Sequence, residues 1–293
     1  MQTAELLRKV RRLEIRSRHL VEDLFAGRSV SVFKGRGIEF EEVRPYVPGD
    51  EVRDIDWNVT ARLGEPFVKR FVEERELSVL LVVDVSRSMR FGTAGAEKRE
   101  LAAELCAVLG FAAVTNNDRV GLVLAGERIE HFVPPARGRT HLLRLLRDVL
   151  GHEPDPGPAS WGATVRFLMR LAKRRSLVFW ISGFEDALDP HEFRVLVRRH
   201  QLTALMIRDP RDEALPAVGW VEIEDLETGA RALVDSGSRA VRERYQRSGR
   251  ERQRRAERAL AEARCSVIEI RTDRPYVPTL LRYFSSRGRR RRR

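Results

Sequence analysis

Cysteine is scarce in this chain. Cys106 and Cys265 are the only two among 293 residues, far apart and each set among apolar neighbours. That pattern excludes a disulfide-stapled secreted scaffold and reads as two reduced thiols in a cytoplasmic protein. Long apolar runs are missing as well. The longest are of strand length, well short of the roughly 20 residues a membrane-spanning helix needs. No signal peptide is expected, because the stretch from Leu6 to Leu24 is laced with Arg and Glu. Neither a phosphate-binding Gly-x-x-x-x-Gly-Lys-Ser/Thr loop, nor Gly-x-Gly-x-x-Gly, nor His-Glu-x-x-His occurs, and the six histidines lack ligand spacing. Cys106 falls on an apolar helix face, a poor setting for a nucleophile. These absences point away from an enzyme. No internal repeat is visible.

What the chain does carry is positive charge, a net +12. Half of the excess is the terminal run of six arginines, Arg287 and Arg289 to Arg293. Its 293 residues suffice for one large domain, or for a domain with an appendage.

The organising stretch runs from Leu77 to Met89. Val79 to Val83 is unbroken, apolar and rich in β-branched residues, as suits a parallel strand buried on both faces. It ends on Asp84, and Ser86 and Ser88 follow at every second residue. Ligands of open α/β sheets sit outside the carboxyl ends of the strands, so these three oxygen-bearing side chains are expected to converge on one crevice. A carboxylate and two hydroxyls suit a hard cation such as Mg²⁺. The same residues would also serve as a turn that caps the next helix.

Around this strand the chain alternates. Leu6, Val10, Leu13, Leu20 and Leu24 form the stripe of an N-terminal amphipathic helix, ended by Gly27 and expected to pack on the main domain. Leu101, Leu105, Val108 and Ala112 mark a helix. Val120 to Leu124 is a second buried strand, and Arg128 to Phe132 a short antiparallel one at the edge. Helices follow at Thr140–Leu150 and from Trp161, with the Pro- and Gly-rich loop 151–158 between them. Strands are expected at Ser176–Ser182, Leu202–Ile207 and Ser266–Ile270. Asp189-Pro190-His191-Glu192 reads as a capping box. A β-hairpin insertion is expected near 219–235, then a long charged helix over 238–264 and a closing helix over 275–284. The expected fold is α/β: a doubly wound, mostly parallel sheet with an N-terminal helix and extended segment and the hairpin insertion. Three parts are expected: 1–76 packed on the main domain, 77–284 as that domain, and 285–293 as a basic disordered tail.

Between the first helix and the organising strand lies a polar segment from Gly35 to Lys69. It contains Gly-x-Glu-Phe, Arg44-x-Tyr46-x-Pro-Gly49-Asp50, Arg53-x-Ile-Asp56-Trp57, Ala-Arg62 and Glu-x-Pro-x-Val-Lys. Arginines alternating with acids beside a turn invite bidentate pairing. Arg44, Asp50, Arg53, Asp56 and Trp57 are therefore expected to form one hydrogen-bonded network. In this order the motifs resemble the signature of the domain of unknown function 58 (DUF58) family, whose main domain is of the von Willebrand factor type A (vWA) kind. Asp84-x-Ser86-x-Ser88 resembles that domain's metal-ion-dependent adhesion site. Further motifs extend the resemblance over nearly the whole chain, among them Asp-Pro-Arg, Glu-Thr-Gly and Thr-Asp-x-Pro-Tyr-Val.

The resemblance implies a protein-interaction module, working as a partner or adaptor of a MoxR-type AAA+ ATPase in chaperone or complex assembly, with a protein client as a further partner. The chain departs from the family at two site positions. Family members read Thr-Asp-Leu where this chain has Ala159-Ser160-Trp161, and Ile-Ser-Asp-Phe where it has Ile181-Ser182-Gly183-Phe184. Asp84, Ser86 and Ser88, with Ser160 as a weaker stand-in, are then expected to hold Mg²⁺ loosely, or not at all, in the isolated protein. The competing reading uses the arginine-rich end to bind nucleic acid or an anionic membrane. Nucleic acid is disfavoured, because no aromatics are interleaved with those arginines.

Overall fold

The computed structural model describes residues 3–25, 39–72, 78–155, 157–171, 174–186 and 188–290. In chain order these contain α1 (Thr3–Phe25), β1 (Glu39–Pro45), α2 (Trp57–Leu63), β2 (Phe67–Val72), β3 (Ser78–Asp84), α3 (Lys98–Thr115), β4 (Arg119–Ala125), β5 (Ile129–Ala136) and α4 (Arg139–Gly151). They continue with α5 (Trp161–Leu171), β6 (Leu177–Ser182), α6 (Pro190–Arg199), β7 (Gln201–Arg208), α7 (Pro210–Glu213), β8 (Trp220–Glu224), β9 (Arg231–Asp235), α8 (Arg239–Glu262), β10 (Ser266–Arg271) and α9 (Val277–Arg290).

The main sheet has six strands in the order β10-β7-β6-β3-β4-β5, all parallel except β5, which pairs antiparallel with β4. β3 is interior, between β6 and β4. Side chains alternate across a strand, so β3 feeds two cores. Val79, Leu81 and Val83 face the core built with α1, α3, α4 and α9. Leu80 and Val82 face the core built with α5, α6 and α8. This is the doubly wound architecture expected from the strand–helix alternation. In the sheet's own numbering the order is 3-2-1-4-5-6 reversed end for end, with the reversal of direction between β3 and β6. That is where ligands of such sheets bind.

The chain divides into two compact units, 34–77 and the remainder. The N-terminal helix thus belongs to the main unit rather than to a common 1–76 piece. Its Val10, Leu13 and Val21 are buried in the first core, and Arg139 pairs with Glu14. Gly27 lies outside the described residues.

In the 34–77 unit β1 and β2 pair antiparallel, with a 3₁₀ turn at Val52–Asp54 and α2 between them. Gly64 ends α2 with φ +79, a left-handed conformation that costs glycine nothing. The expected five-residue network is not formed. Asp50 does take Arg44 bidentately, at 2.8 and 2.6 Å, and its carboxyl is held low by that bond. Asp56 instead caps α2, accepting from the N–H groups of Asn58 and Val59. Trp57 is 64% exposed. Arg53 and Arg62 are exposed and make no hydrogen bond or ion pair among the described residues. The reason is local: a carboxylate one residue before a helix is already placed to accept the first free N–H groups of that helix.

Two further expectations are corrected. Helix α9 continues to Arg290, through most of the segment expected as a disordered tail; arginine is a good helix former and no proline intervenes. Asp189 caps α6 through the His191 N–H, but Glu192 pairs with Arg166 rather than closing a capping box. The reciprocal box forms at Asp209 and Asp212 instead.

Candidate functional site

β3 delivers Asp84 to the switch point in a 3% exposed position. One carboxylate oxygen accepts the Ser86 N–H at 2.9 Å and the Ser86 hydroxyl at 2.6 Å. The other accepts the Ser182 hydroxyl, at 2.6 Å, from the end of β6. The Ser86 and Ser88 hydroxyls lie 3.0 Å apart. The chain therefore brings Asp84, Ser86 and Ser88 into one hydrogen-bonded row, extended by Ser182. In the core on the β6 side, Trp161 and Trp180 pack edge to face at 5.6 Å and Trp180 packs against Phe193 at 4.9 Å. Phe184, buried against Trp161 and Trp180, adopts φ +52, and its N–H donates to the Ser182 hydroxyl at 2.8 Å. A non-glycine residue in that conformation is held by its surroundings, and such positions cluster at functional sites.

Among the described residues Asp84 has no cationic partner. Burial pushes its carboxyl up to about 6, against hydrogen bonds from Ser182 and Ser86 that favour the ionised form, and Asp186 adds to the rise. Asp186 is also pushed up to about 6, by burial first and then by the charges of Glu227, Glu185 and Asp225. Its Oδ2 accepts the Ala159 N–H at 3.2 Å. The Ser160 N–H bonds the Gly126 carbonyl, and the Ser160 carbonyl accepts the Thr164 hydroxyl. The Thr164 hydroxyl is thus committed within its own helix. Next to Gly183, Glu185 is bound at 2.6 Å to the Lys98 ammonium. A Cβ at Gly183 would stand 3.2 Å from Glu185 Oε1, so a side chain there presses on that pair.

One participant is absent from the sequence reading. Glu227, at the tip of the β8–β9 hairpin, accepts the Ser88 N–H at 2.8 Å, and its other oxygen is buried without a partner. The Glu227-Thr228-Gly229 turn is visible in the sequence, but nothing local says where the tip lands. Among the described residues no three His, Cys, Asp or Glu side chains are gathered as ligands of a metal ion. The available donors are hydroxyls around one carboxylate, with an unpartnered Glu227 oxygen beside them. That set is all oxygen and matches a hard cation.

The chain matches the family model described as "Protein of unknown function DUF58" over residues 42–255. It belongs to that family, and its doubly wound, mostly parallel sheet is the vWA-like architecture expected from the sequence. It is 32% identical over 288 residues to an uncharacterized protein of Mycobacterium tuberculosis, covering 97% of this chain and 90% of that one. A shorter uncharacterized protein of Mycobacterium avium is 25% identical over 160 residues, covering 54% of this chain and 94% of its own length. Among solved structures, an aerotolerance-related membrane protein of Bacteroides fragilis aligns over 72% of this chain and 97% of its own, at 14% identity and a TM-score of 0.47. The VWA domain of SpRpn10 aligns over 71% and 94%, at 12% identity and a TM-score of 0.39. Among the described residues no helix is long and apolar enough to cross a membrane.

Proposed function

We propose that this chain is a non-enzymatic protein-interaction module whose working surface is the crevice at the carboxyl ends of β3 and β6. The observation that supports this best is Asp84: a buried carboxylate at the switch point, bonded by hydroxyls and an amide and met by no cation among the described residues. A buried charge without a counter-charge is costly, and a ligand that supplies the counter-charge recovers that cost on binding. Asp84, Ser86 and Ser88 would hold Mg²⁺, with Ser160 a weaker substitute donor. A bound ion there would offer an open coordination position to an acidic group of the partner. The partner class is the one the family resemblance implies: a MoxR-type AAA+ ATPase, met in the cytoplasm, with a protein client handled by the pair.

Affinity capture tests the reading. A tagged wild-type chain should retain an AAA+ ATPase, and Asp84→Ala and the pair Ser86→Ala/Ser88→Ala should lose it. Equal retention by all three would move recognition to another surface. Calorimetry with Mg²⁺ tests the ion: heat of binding seen for wild type and abolished in Asp84→Ala supports it, and binding that survives in Asp84→Ala places the ion elsewhere.

A further inference from the structure

Glu227 reaches the crevice from 139 residues away in sequence. Its turn is built to present it. Asp225 Oδ1 accepts the N–H groups of Glu227 and Thr228, each at 3.0 Å, and the Gly229 N–H returns to the Asp225 carbonyl at 2.7 Å. The hairpin behind the tip is a two-stranded sheet of its own, tied at its base where Ser236 bonds the Gly219 carbonyl. Its register sets Trp220 opposite Asp235 and Leu233 opposite Glu222, which puts Trp220 and Leu233 on one face. Both are open to solvent, at 69% and 68% exposure.

The contact at the tip is a lightly held one, because a single hydrogen bond to the Ser88 amide holds it. It is opposed by a second carboxylate oxygen buried without a donor, and by Asp186 alongside. The bond is also of a defined chemical kind: a carboxylate on the Ser88 amide.

We propose that the hairpin is a latch, in which Glu227 occupies the position that an Asp or Glu side chain of the partner takes in the complex, and that the partner opens the crevice by displacing it. This rests on the reading of the crevice as an interaction surface. It adds the residue that holds the incoming group's place and the step that must precede binding. A latch closed about nine-tenths of the time weakens the apparent affinity for an incoming carboxylate about tenfold.

The test uses the full ¹⁵N-labelled chain, acetate as the carboxylate probe and excess magnesium chloride in every sample. In Glu227→Ala the Ser88 amide resonance should move saturably with acetate, and in wild type the same movement should need about tenfold more. Glu227→Gln should behave as wild type, because its amide oxygen still accepts the Ser88 N–H. Should Glu227→Ala disturb the fold, Glu227→Asp, one methylene shorter, replaces it and should respond between the two. An equal response in wild type and variant overturns the latch, since Glu227 then does not compete. No response in either also overturns it, since the amide then accepts no carboxylate but its own. Acetate replaces the partner here, so these failures are separate from a failure of ATPase capture to depend on Asp84.

Discussion

Two polar centres lie at the carboxyl edge of the main sheet, and they handle buried charge in opposite ways. At the start of α3, Lys98 is 1% exposed, and its ammonium bonds Glu185 at 2.6 Å and Asp212 at 2.9 Å. Burial works against the charged ammonium, but the two carboxylates outweigh it and its pKa is raised. At the end of β3, Asp84 has hydroxyls and, among the described residues, no cation, and burial dominates. The first centre sets its buried ammonium against opposite charge and ties the start of α3, the loop after β6 and α7 together. The second is incomplete, and the neighbours that approach it, Asp186 and Glu227, carry charge of the same sign. A buried charge that meets its counter-charge fastens the fold, and one that does not carries an unrecovered desolvation cost.

The largest effect should come from breaking the complete centre. Lys98→Met leaves two carboxylates facing each other in a buried site, and chemical denaturation should show a loss of about 3–5 kcal/mol. A loss below 1 kcal/mol would mean that these segments are held by other contacts.

His200 tests the cost of burying a titratable group with no opposite charge at all. It is buried, its Nδ1 accepts the Ser176 N–H at 3.2 Å, and its Nε2 has no partner. Burial, then Arg199 and Arg175, depress its pKa from 6.5 to about 4. The unfolded chain therefore binds the proton first. The stabilisation is whole above pH 6.5 and is lost as pH falls towards 4, up to about 3 kcal/mol. Stability curves across that window should be flatter for His200→Gln than for wild type.

Asp84→Asn sharpens the contrast from the other side. A carboxyl raised to about 6 stabilises the fold at low pH and loses that contribution as pH rises past 6. At neutral pH without divalent ions, Asp84→Asn should thus be neutral or more stable than wild type by about 1 kcal/mol. Magnesium should raise the melting temperature of wild type only. Destabilisation of several kcal/mol would put Asp84 in the same class as Lys98.

The smallest effect is expected at an exposed cation. Arg53 is solvent-facing, so Arg53→Ala should change stability by no more than about 0.5 kcal/mol in thermal unfolding. A larger loss would restore the network that the sequence suggested for the 34–77 unit.

Most of the fold was legible without coordinates, because its signals are local. Val79 to Val83 could only be a doubly buried strand, and the alternation of strands and amphipathic helices limits the sheet to a doubly wound one. The hairpin was legible from its turn and its alternation, and Asp84, Ser86 and Ser88 share a loop because they share five residues of chain. The signature segment misled where several pairings of its charges were equally good by sequence, and helix geometry gave Asp56 to the backbone instead of to Arg53.

What sequence determined, then, is which elements exist, which of their faces are buried, and where the chain must place a carboxylate at the end of its central strand. What only the tertiary structure decided is the company that carboxylate keeps. Lys98 is charged and by type belongs at the surface, yet it is buried because Glu185 and Asp212, from the loop after β6 and from α7, meet it. Glu227 lies on the Ser88 amide because a hairpin 139 residues away folds back to that point. Such contacts join residues with no sequence relation, and their energies exist only once the sheet has brought the loop ends together.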